Sequence, residues 1–137
     1  MSQITYRTGN DLDLDVTIEV YVDSGLGDRR PVKDRERMGR MLREANLMIS
    51  AWNGTELVGI ARSLTDWVYV TYLSDLAVKK KYQRQGIGRE LIKRTREACD
   101  PKTTLLLLAA PAAVEYYPHI GFEHHSQAWM IQGRVTE

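Results

Sequence analysis

The chain has 137 residues, of which 43% are hydrophobic and 27% charged, and this composition is typical of a globular domain rather than a disordered or fibrous protein. Its 19 basic and 18 acidic residues leave a formal charge of +1, so no overall field draws it to nucleic acid or to an acidic membrane. A chain of this length has room for one hydrophobic core, and we expect a single domain over residues 1–137.

The N-terminal third of the sequence predicts a strand and a helix, with an ambiguous segment between them. Residues 3–8 are typical of a first strand. In residues 12–22 apolar and other residues alternate, and periodicity alone favours a strand there. Residues 34–45 predict a helix with Asp34 as its N-cap, because the apolar residues recur at helical spacing.

A hairpin and a third strand are predicted next. Residues 47–52 and 56–64 flank Asn53-Gly54, the dipeptide that most strongly indicates a β-hairpin. Residues 68–78 then have the composition of another strand.

The second half of the chain alternates predicted helices and strands. Residues 86–99 predict a helix that Asp100-Pro101 ends. The apolar run 104–109 is typical of a central strand, and a short helix is expected over 112–119. We expect residues 122–131 to return to the sheet.

A basic turn joins the predicted strand 68–78 to the predicted helix 86–99. The first N–H groups of a helix have no partner within the helix and attract anions, and glycines let a phosphate approach the backbone. Lysine and arginine side chains in residues 79–84 add positive charge. The simpler interpretation is a tight turn with a solvated basic surface. Neither the P-loop pattern nor the full G-x-G-x-x-G pattern is present.

Two segments carry a resemblance to a known family. The turn reads Gln83-Arg84-Gln85-Gly86-Ile87-Gly88. It matches Gln/Arg-x-x-Gly-x-Gly/Ala, the acetyl-CoA signature of the GNAT acetyltransferase superfamily, which this chain resembles. Residues 113–122, with a tyrosine pair ahead of Gly-Phe, resemble a second family segment in the expected order and at the expected separation.

The resemblance implies an α+β, three-layer GNAT-like fold. Its central sheet would be mixed and mostly antiparallel, with six or seven strands and about four helices. The family places helices after its first strand, so we predict a helix over residues 11–24 despite their alternation.

The resemblance also implies where acetyl-CoA binds. The backbone of Leu76, Ala77 and Val78 would pair with the pantetheine arm. The pyrophosphate would lie against the loop that follows, which comprises Gln83, Arg84, Gln85, Gly86, Ile87, Gly88 and Arg89.

Acetyl transfer to an amine needs a base, a proton donor and a group that stabilises the acetyl oxygen. Asp75 is the first candidate base, because a partly desolvated carboxylate in that strand would have a raised pKa. The alternative is that it only hydrogen-bonds a neighbouring loop. Asp66 and Glu115 are lesser candidates. Tyr117 matches the family tyrosine that protonates the coenzyme A sulfur, and a strand N–H of Leu76 or Val78 would meet the acetyl oxygen.

Acceptor selection is expected in residues 24–34 and the helix after them. The basic residues there are Arg29, Arg30, Lys33, Arg35 and Arg37. They would recognise an anionic group on the substrate, but interleaved acidic residues favour a self-paired surface. Three tryptophans are candidates for an aromatic pocket and are more typical of core or rim positions.

Two further properties follow by exclusion. No ligand spacing predicts a metal site, and a lone cysteine, Cys99, cannot form an internal disulfide. The N-terminus lacks a signal-peptide layout, and the longest apolar run, 105–114, is about half of the roughly 20 residues that span a bilayer. We therefore predict a cytoplasmic protein.

The sequence thus predicts an N-acetyltransferase that uses acetyl-CoA, without a metal, to acetylate a primary amine on a small molecule or a protein. The main alternative is a non-catalytic acyl-CoA-binding sensor. A nucleic-acid-binding role for the basic turn gains little support from the net charge. Both a monomer and a homodimer are open, because a strand near 128–131 is a candidate edge for pairing with a second copy.

Overall fold

The computed structural model describes residues 3–134, apart from the side chain of residue 112. Its sheet has five strands: β1 (Ile4–Thr8), β2 (Leu47–Asn53), β3 (Glu56–Thr65), β4 (Val70–Val78) and β5 (Thr104–Leu106). Their spatial order follows the chain, and every neighbouring pair is antiparallel except β4 and β5, which are parallel. The helices are α1 (Leu14–Ser24), α2 (Arg35–Glu44), α3 (Ile87–Glu97) and the short α4 (Tyr116–His119). The predicted GNAT-like α+β fold with a mixed sheet is confirmed.

Helix α1 occupies the segment whose alternation favoured a strand. The Asp13 carboxylate accepts the N–H of Val16 at 3.0 Å and caps the N-terminus, and Gly25, at φ 93°, ends the helix in the left-handed region. Thr17, Val20 and Tyr21 are buried at helical spacing. Two of the alternating valines therefore point outward; the exposed ones are Val16 and Val22. Two caps and a buried helical stripe thus outweigh the period of two.

The helices lie on the two faces of the sheet. Side chains of α1 and α2, such as Tyr21 and Met38, pack with one set of strand residues, and Ile87 and Leu91 of α3 pack with the other set. The predicted inward face of α3 is confirmed, since its four expected residues, Ile87, Leu91, Ile92 and Thr95, are all buried. The Asn53-Gly54 hairpin is confirmed as well, with Gly54 at φ 61°.

The C-terminal part of the chain differs most from expectation. The predicted strand 104–109 pairs only over Thr104–Leu106. The predicted helix 112–119 is a 3-10 turn, Pro111–Ala113, followed by α4. The predicted strand 122–131 is wrong, because residues 122–134 form no helix or strand, and the expected sixth or seventh strand is not found between residues 3 and 134. In the described part of the chain, β5 therefore has β4 as its one neighbouring strand.

Among the residues that the structure describes, no helix is both long and apolar enough to cross a membrane.

Candidate active site

The open edge of β4 is the first feature of the site. On one side β4 is paired with β3 as far as Val78. On the other side β5 pairs with it only from Val70 to Tyr72, so within residues 3–134 no strand covers residues 73–78 on that edge. The predicted donor residues Leu76, Ala77 and Val78 lie on this uncovered stretch. An uncovered edge presents backbone groups to an extended ligand.

The loop of residues 79–86, here called the donor loop, leads from this edge into α3. It begins with a 3-10 turn, Lys80–Tyr82, and the side-chain amide of Gln83 then donates to the Val78 carbonyl at 2.8 Å. Arg84 and Gly86 have φ values of 65° and 84°, which turns the chain sharply into the helix. None of the side chains that the structure describes caps the N-terminus of α3. Its first N–H groups are therefore available to an anion at the positive end of the helix dipole.

Tyr82 anchors the donor loop to the β2–β3 hairpin. This tyrosine is buried, its hydroxyl donates to Glu56 at 2.8 Å, and it accepts from the Asn53 amide at 2.8 Å. Lys79 is tied to Glu19 at 3.2 Å and to Glu56 at 3.3 Å. Lys79 is thus already paired with carboxylates, and the exposed Arg84 and Arg89 offer positive charge instead. Lys80 and Lys81 of the donor loop are exposed as well.

The tyrosine pair of α4 lies beside the start of α3. A Cβ added at Gly88 would have the Tyr116 hydroxyl 3.7 Å away, with Leu76 and Val78 side chains at 3.9 and 4.0 Å. Tyr117 is partly buried, and its ring packs edge-to-face against Tyr116 and Phe122. Burial, and then the neighbouring Tyr116, raise the pKa of Tyr117. The Tyr116 hydroxyl therefore lies near Gly88, whereas Tyr117 packs against the core.

Asp75 is the centre of a buried polar network. The side chain is fully buried. Oδ1 accepts from Nε of Arg30, and Oδ2 from Nε of Arg62, both at 2.6 Å. The Tyr21 hydroxyl also donates to Oδ2 at 2.6 Å, and the Ser74 hydroxyl to Oδ1 at 3.2 Å. One carboxylate thereby joins α1, β3, β4 and the loop after α1.

The raised pKa expected for Asp75 is wrong. Burial opposes ionisation, but the charge of Arg62, the hydrogen bonds from Tyr21 and Arg62, and the charge of Arg30 outweigh it and hold the pKa of Asp75 below its usual range. Burial and the nearby carboxylate raise the pKa of Tyr21, which stays a neutral donor. A carboxylate held in this way is a weak base at neutral pH.

Other carboxylates and basic residues singled out in the sequence have structural partners or lie apart. Asp66 accepts three backbone N–H groups of residues 68–70, and these bonds hold its pKa below the usual value. Glu115 is exposed. Arg35 is paired with Asp15 at 3.0 Å on the surface. Among residues 3–134, no group of three or more His, Cys, Asp or Glu side chains is placed to hold a metal ion.

A groove of about 720 Å³ runs along α3 towards β5. Gly86 and Arg89 line one end of it, whereas Leu76, Ala77 and Val78 do not. The groove therefore meets the donor loop without including residues 76–78 of the open β4 edge.

Comparison with known proteins decides the family. The model of the acetyltransferase (GNAT) domain matches residues 21–133. The chain belongs to this family. The resemblance drawn from the two motifs is therefore confirmed, and the chain carries a GNAT acetyltransferase domain.

Relatives of this GNAT domain are distant. A probable acetyltransferase TAP2 from Glycine max is 26% identical over 136 residues, which cover 90% of this chain and 53% of the soybean protein. The chain thus spans about half the length of that relative. The GNAT family protein SP0256 from Streptococcus pneumoniae has a TM-score of 0.75 at 23% identity, with 96% of this chain and 100% of that chain covered. The aminoglycoside N-acetyltransferase AAC(6')-Iy, solved in complex with CoA, has a TM-score of 0.72 at 15% identity, covering 98% and 97%. At these identities, the similarity to the two solved structures supports the fold of this chain and nothing beyond the fold.

Sequence reasoning missed the partners of Asp75. Tyr21, Arg30 and Arg62 are distant from it in the chain, and Arg30 was counted with a charged surface. One signal was present: Arg62 and Asp75 are charges in the interior of two consecutive, largely apolar predicted strands, and the structure pairs them directly across the sheet. Charges opposite each other in buried strands are expected to form an ion pair.

Proposed function

We propose that this GNAT domain transfers an acetyl group from acetyl-CoA to a primary amine. The observation that carries the proposal is the uncovered edge of β4, residues 73–78, which leads into the uncapped N-terminus of α3. A strand edge offers hydrogen bonds to an amide-containing arm, and a free helix N-terminus attracts phosphate. Acetyl-CoA contains both groups, in the order in which the chain presents the two features.

Each part of the donor has residues suited to it. The backbone of Leu76, Ala77 and Val78 would hold the pantetheine arm, and an N–H of this stretch would meet the acetyl oxygen as it gains negative charge. Acetyl-CoA supplies the activated acetyl group. The pyrophosphate would lie against Gln83, Arg84, Gln85, Gly86, Ile87, Gly88 and Arg89. The Gly88 position supports this fit, since it keeps open a space that a side chain would fill beside Leu76 and Val78.

The amine must lose a proton before or during attack, and we propose that water molecules pass this proton to the bulk solvent. Asp75 lies in β4 directly before the donor residues, but both of its oxygens are engaged by arginines and its pKa is lowered. To abstract the amine proton directly, Asp75 would need an oxygen that is free to accept it. Asp75 as the catalytic base therefore stays a weaker prediction than proton transfer through water.

For the departing thiolate we propose a tyrosine of α4 as the proton donor. The family resemblance points to Tyr117, and a phenol whose pKa is raised by burial stays protonated and can donate to a developing thiolate. Tyr116 would contact the donor near Gly88, where its hydroxyl lies. A cytoplasmic location stays a prediction. Both a monomer and a homodimer stay open, and residues 128–131, the candidate edge for pairing, do not form a strand.

The first experiment is calorimetric titration of the protein with acetyl-CoA beside the double variant Gly86→Glu, Gly88→Glu. Gly54→Glu is the matched control, since it puts the same charge on another left-handed turn glycine with no atom within 4 Å of the added Cβ. We expect saturable binding by the wild type and by Gly54→Glu, and none by the double variant. Circular dichroism checks that all three are folded.

Turnover is measured by thiol release with tryptamine, spermidine, kanamycin and a lysine-containing peptide as acceptors. Acetylation of any of these supports the proposal. Binding of acetyl-CoA without turnover would support the acyl-CoA sensor instead, and a folded wild type that binds no acetyl-CoA would refute both.

A further inference from the structure

The loop of residues 25–34, here called the α1–α2 loop, is tied to the sheet by one side chain. Nε of Arg30 donates to Oδ1 of Asp75 at 2.6 Å, and Nη2 donates to the Ser74 carbonyl at 2.8 Å. Nη1 donates to the Arg29 carbonyl at 2.8 Å, inside the loop. One guanidinium therefore holds two consecutive residues of β4 and braces the backbone of its own loop.

Ser74 offers its carbonyl because of a bulge in β4. The register between β3 and β4 passes from Asp75 to Leu73 and skips Ser74. The extra residue of a bulge is left out of the ladder, so its carbonyl needs another partner. Arg30 is that partner, and its planar fork suits a carboxylate and a carbonyl side by side.

Among the described residues, no other polar contact ties the α1–α2 loop to the sheet. Among residues 3–134, every hydrogen bond that joins this loop to the sheet comes from Arg30. Leu26 and Val32 add apolar packing against the core. The ends of the loop are fixed to α1 and α2, at Gly25 and Asp34. The middle of the loop thus depends on Arg30 for its position.

The attachment point lies next to the donor edge. Ser74 and Leu76 are two residues apart in β4, which is about 7 Å along a strand. An acetyl group held at Leu76 to Val78 would lie two to four residues along the same strand from Ser74. The amine that attacks it therefore approaches the part of β4 to which the α1–α2 loop is fastened. We propose that Arg30 is a positioning residue, which holds this loop against β4 as one wall of the acceptor site. This inference rests on the proposed acetyl transfer.

The test compares Arg30→Ala and Arg30→Lys with the matched control Arg29→Ala. Arg29 is exposed, and no hydrogen bond or ion pair of its side chain is found among the described residues. Arg30→Lys keeps the charge near Asp75 and loses the fork. Because Arg62 and Tyr21 still donate to Asp75, we expect both Arg30 variants to fold.

Two readouts are measured. The first is amide hydrogen exchange. Residues 26–33 are expected to exchange about tenfold faster in Arg30→Ala, because hydrogen bonds from a charged group are lost, whereas the exchange rates of α3 should not change. The second is steady-state kinetics with tryptamine, or the best acceptor of the panel above. The amine KM is expected to rise about tenfold, while the calorimetric Kd for acetyl-CoA stays within about twofold. Arg30→Lys should fall between Arg30→Ala and the wild type, and Arg29→Ala should match the wild type.

Unchanged exchange in residues 26–33 would overturn the positioning role. Faster exchange with an unchanged amine KM would show that the loop is not a wall of the acceptor site. A loss of acetyl-CoA affinity as large as the rise in amine KM would show the same. A wild type that acetylates no amine would refute the proposed function, and exchange would still decide whether Arg30 holds the loop.

Discussion

Replacing Asp75 with asparagine tests the buried network directly. Oδ1 faces Nε of Arg30 and Oδ2 faces Nε of Arg62, each at 2.6 Å. Asparagine has one oxygen and one NH₂ group, so either orientation turns an N–H donor towards an arginine N–H donor. Removing one partner of a buried ion pair costs about 3–5 kcal/mol, against a total stability of about 5–15 kcal/mol. We expect Asp75→Asn to lose stability on that scale.

Urea unfolding at pH 7, followed by circular dichroism, measures the effect. The control is Asp15→Asn, which breaks the surface pair with Arg35, where both side chains are well exposed. That change should cost less than about 1 kcal/mol. If Asp75→Asn unfolds within about 1 kcal/mol of the wild type, the network does not contribute as an ionised pair and the reasoning is wrong.

The pH dependence gives the same argument a second check. The folded pKa of Asp75 is lowered, so its contribution to stability is fully present above the unfolded pKa of about 3.9. It is lost as the pH falls from there through the folded pKa. The wild-type free energy of unfolding should therefore decline below about pH 4, and the gap to Asp75→Asn should narrow. A gap that stays constant on acidification would contradict the assignment.

Three further predictions concern the donor loop, α4 and the C-terminal segment. Gly86→Ala should lower the free energy of unfolding by about 1–2 kcal/mol, because Gly86 lies at φ 84°. Gly88→Ala should not lower it, since the nearest atom to an added Cβ is 3.7 Å away, and urea unfolding of both variants measures the difference. Tyr117→Phe should lower kcat about a hundredfold in the thiol-release assay, whereas Tyr116→Phe should mainly raise the Kd for acetyl-CoA. The reverse result would make Tyr116 the proton donor and Tyr117 the residue that contacts acetyl-CoA. Trp129 is 94% exposed, so Trp129→Phe should remove the most readily quenched fluorescence in an acrylamide titration and leave Tm within about 2 °C.

Local features of this chain were determined by the sequence. Asp34 caps α2 by accepting the Arg37 N–H, Gly54 forms the hairpin turn and Gly86 begins α3, as predicted. Each depends on a residue and its neighbours within about four positions, which the sequence shows directly. The donor motif belongs to the same class, because a strand, a basic turn and a helix N-terminus are consecutive in the chain.

The tertiary structure decided what depends on distant partners. The lowered pKa of Asp75 comes from Tyr21, Arg30 and Arg62, which are 54, 45 and 13 positions away. The helical state of residues 14–24 was decided by burial of one face against the sheet, which overrides a local period of two. Sequence spacing sets which groups are chemically available, but burial and long-range pairing set their charge state, because both depend on where the folded chain brings remote residues together.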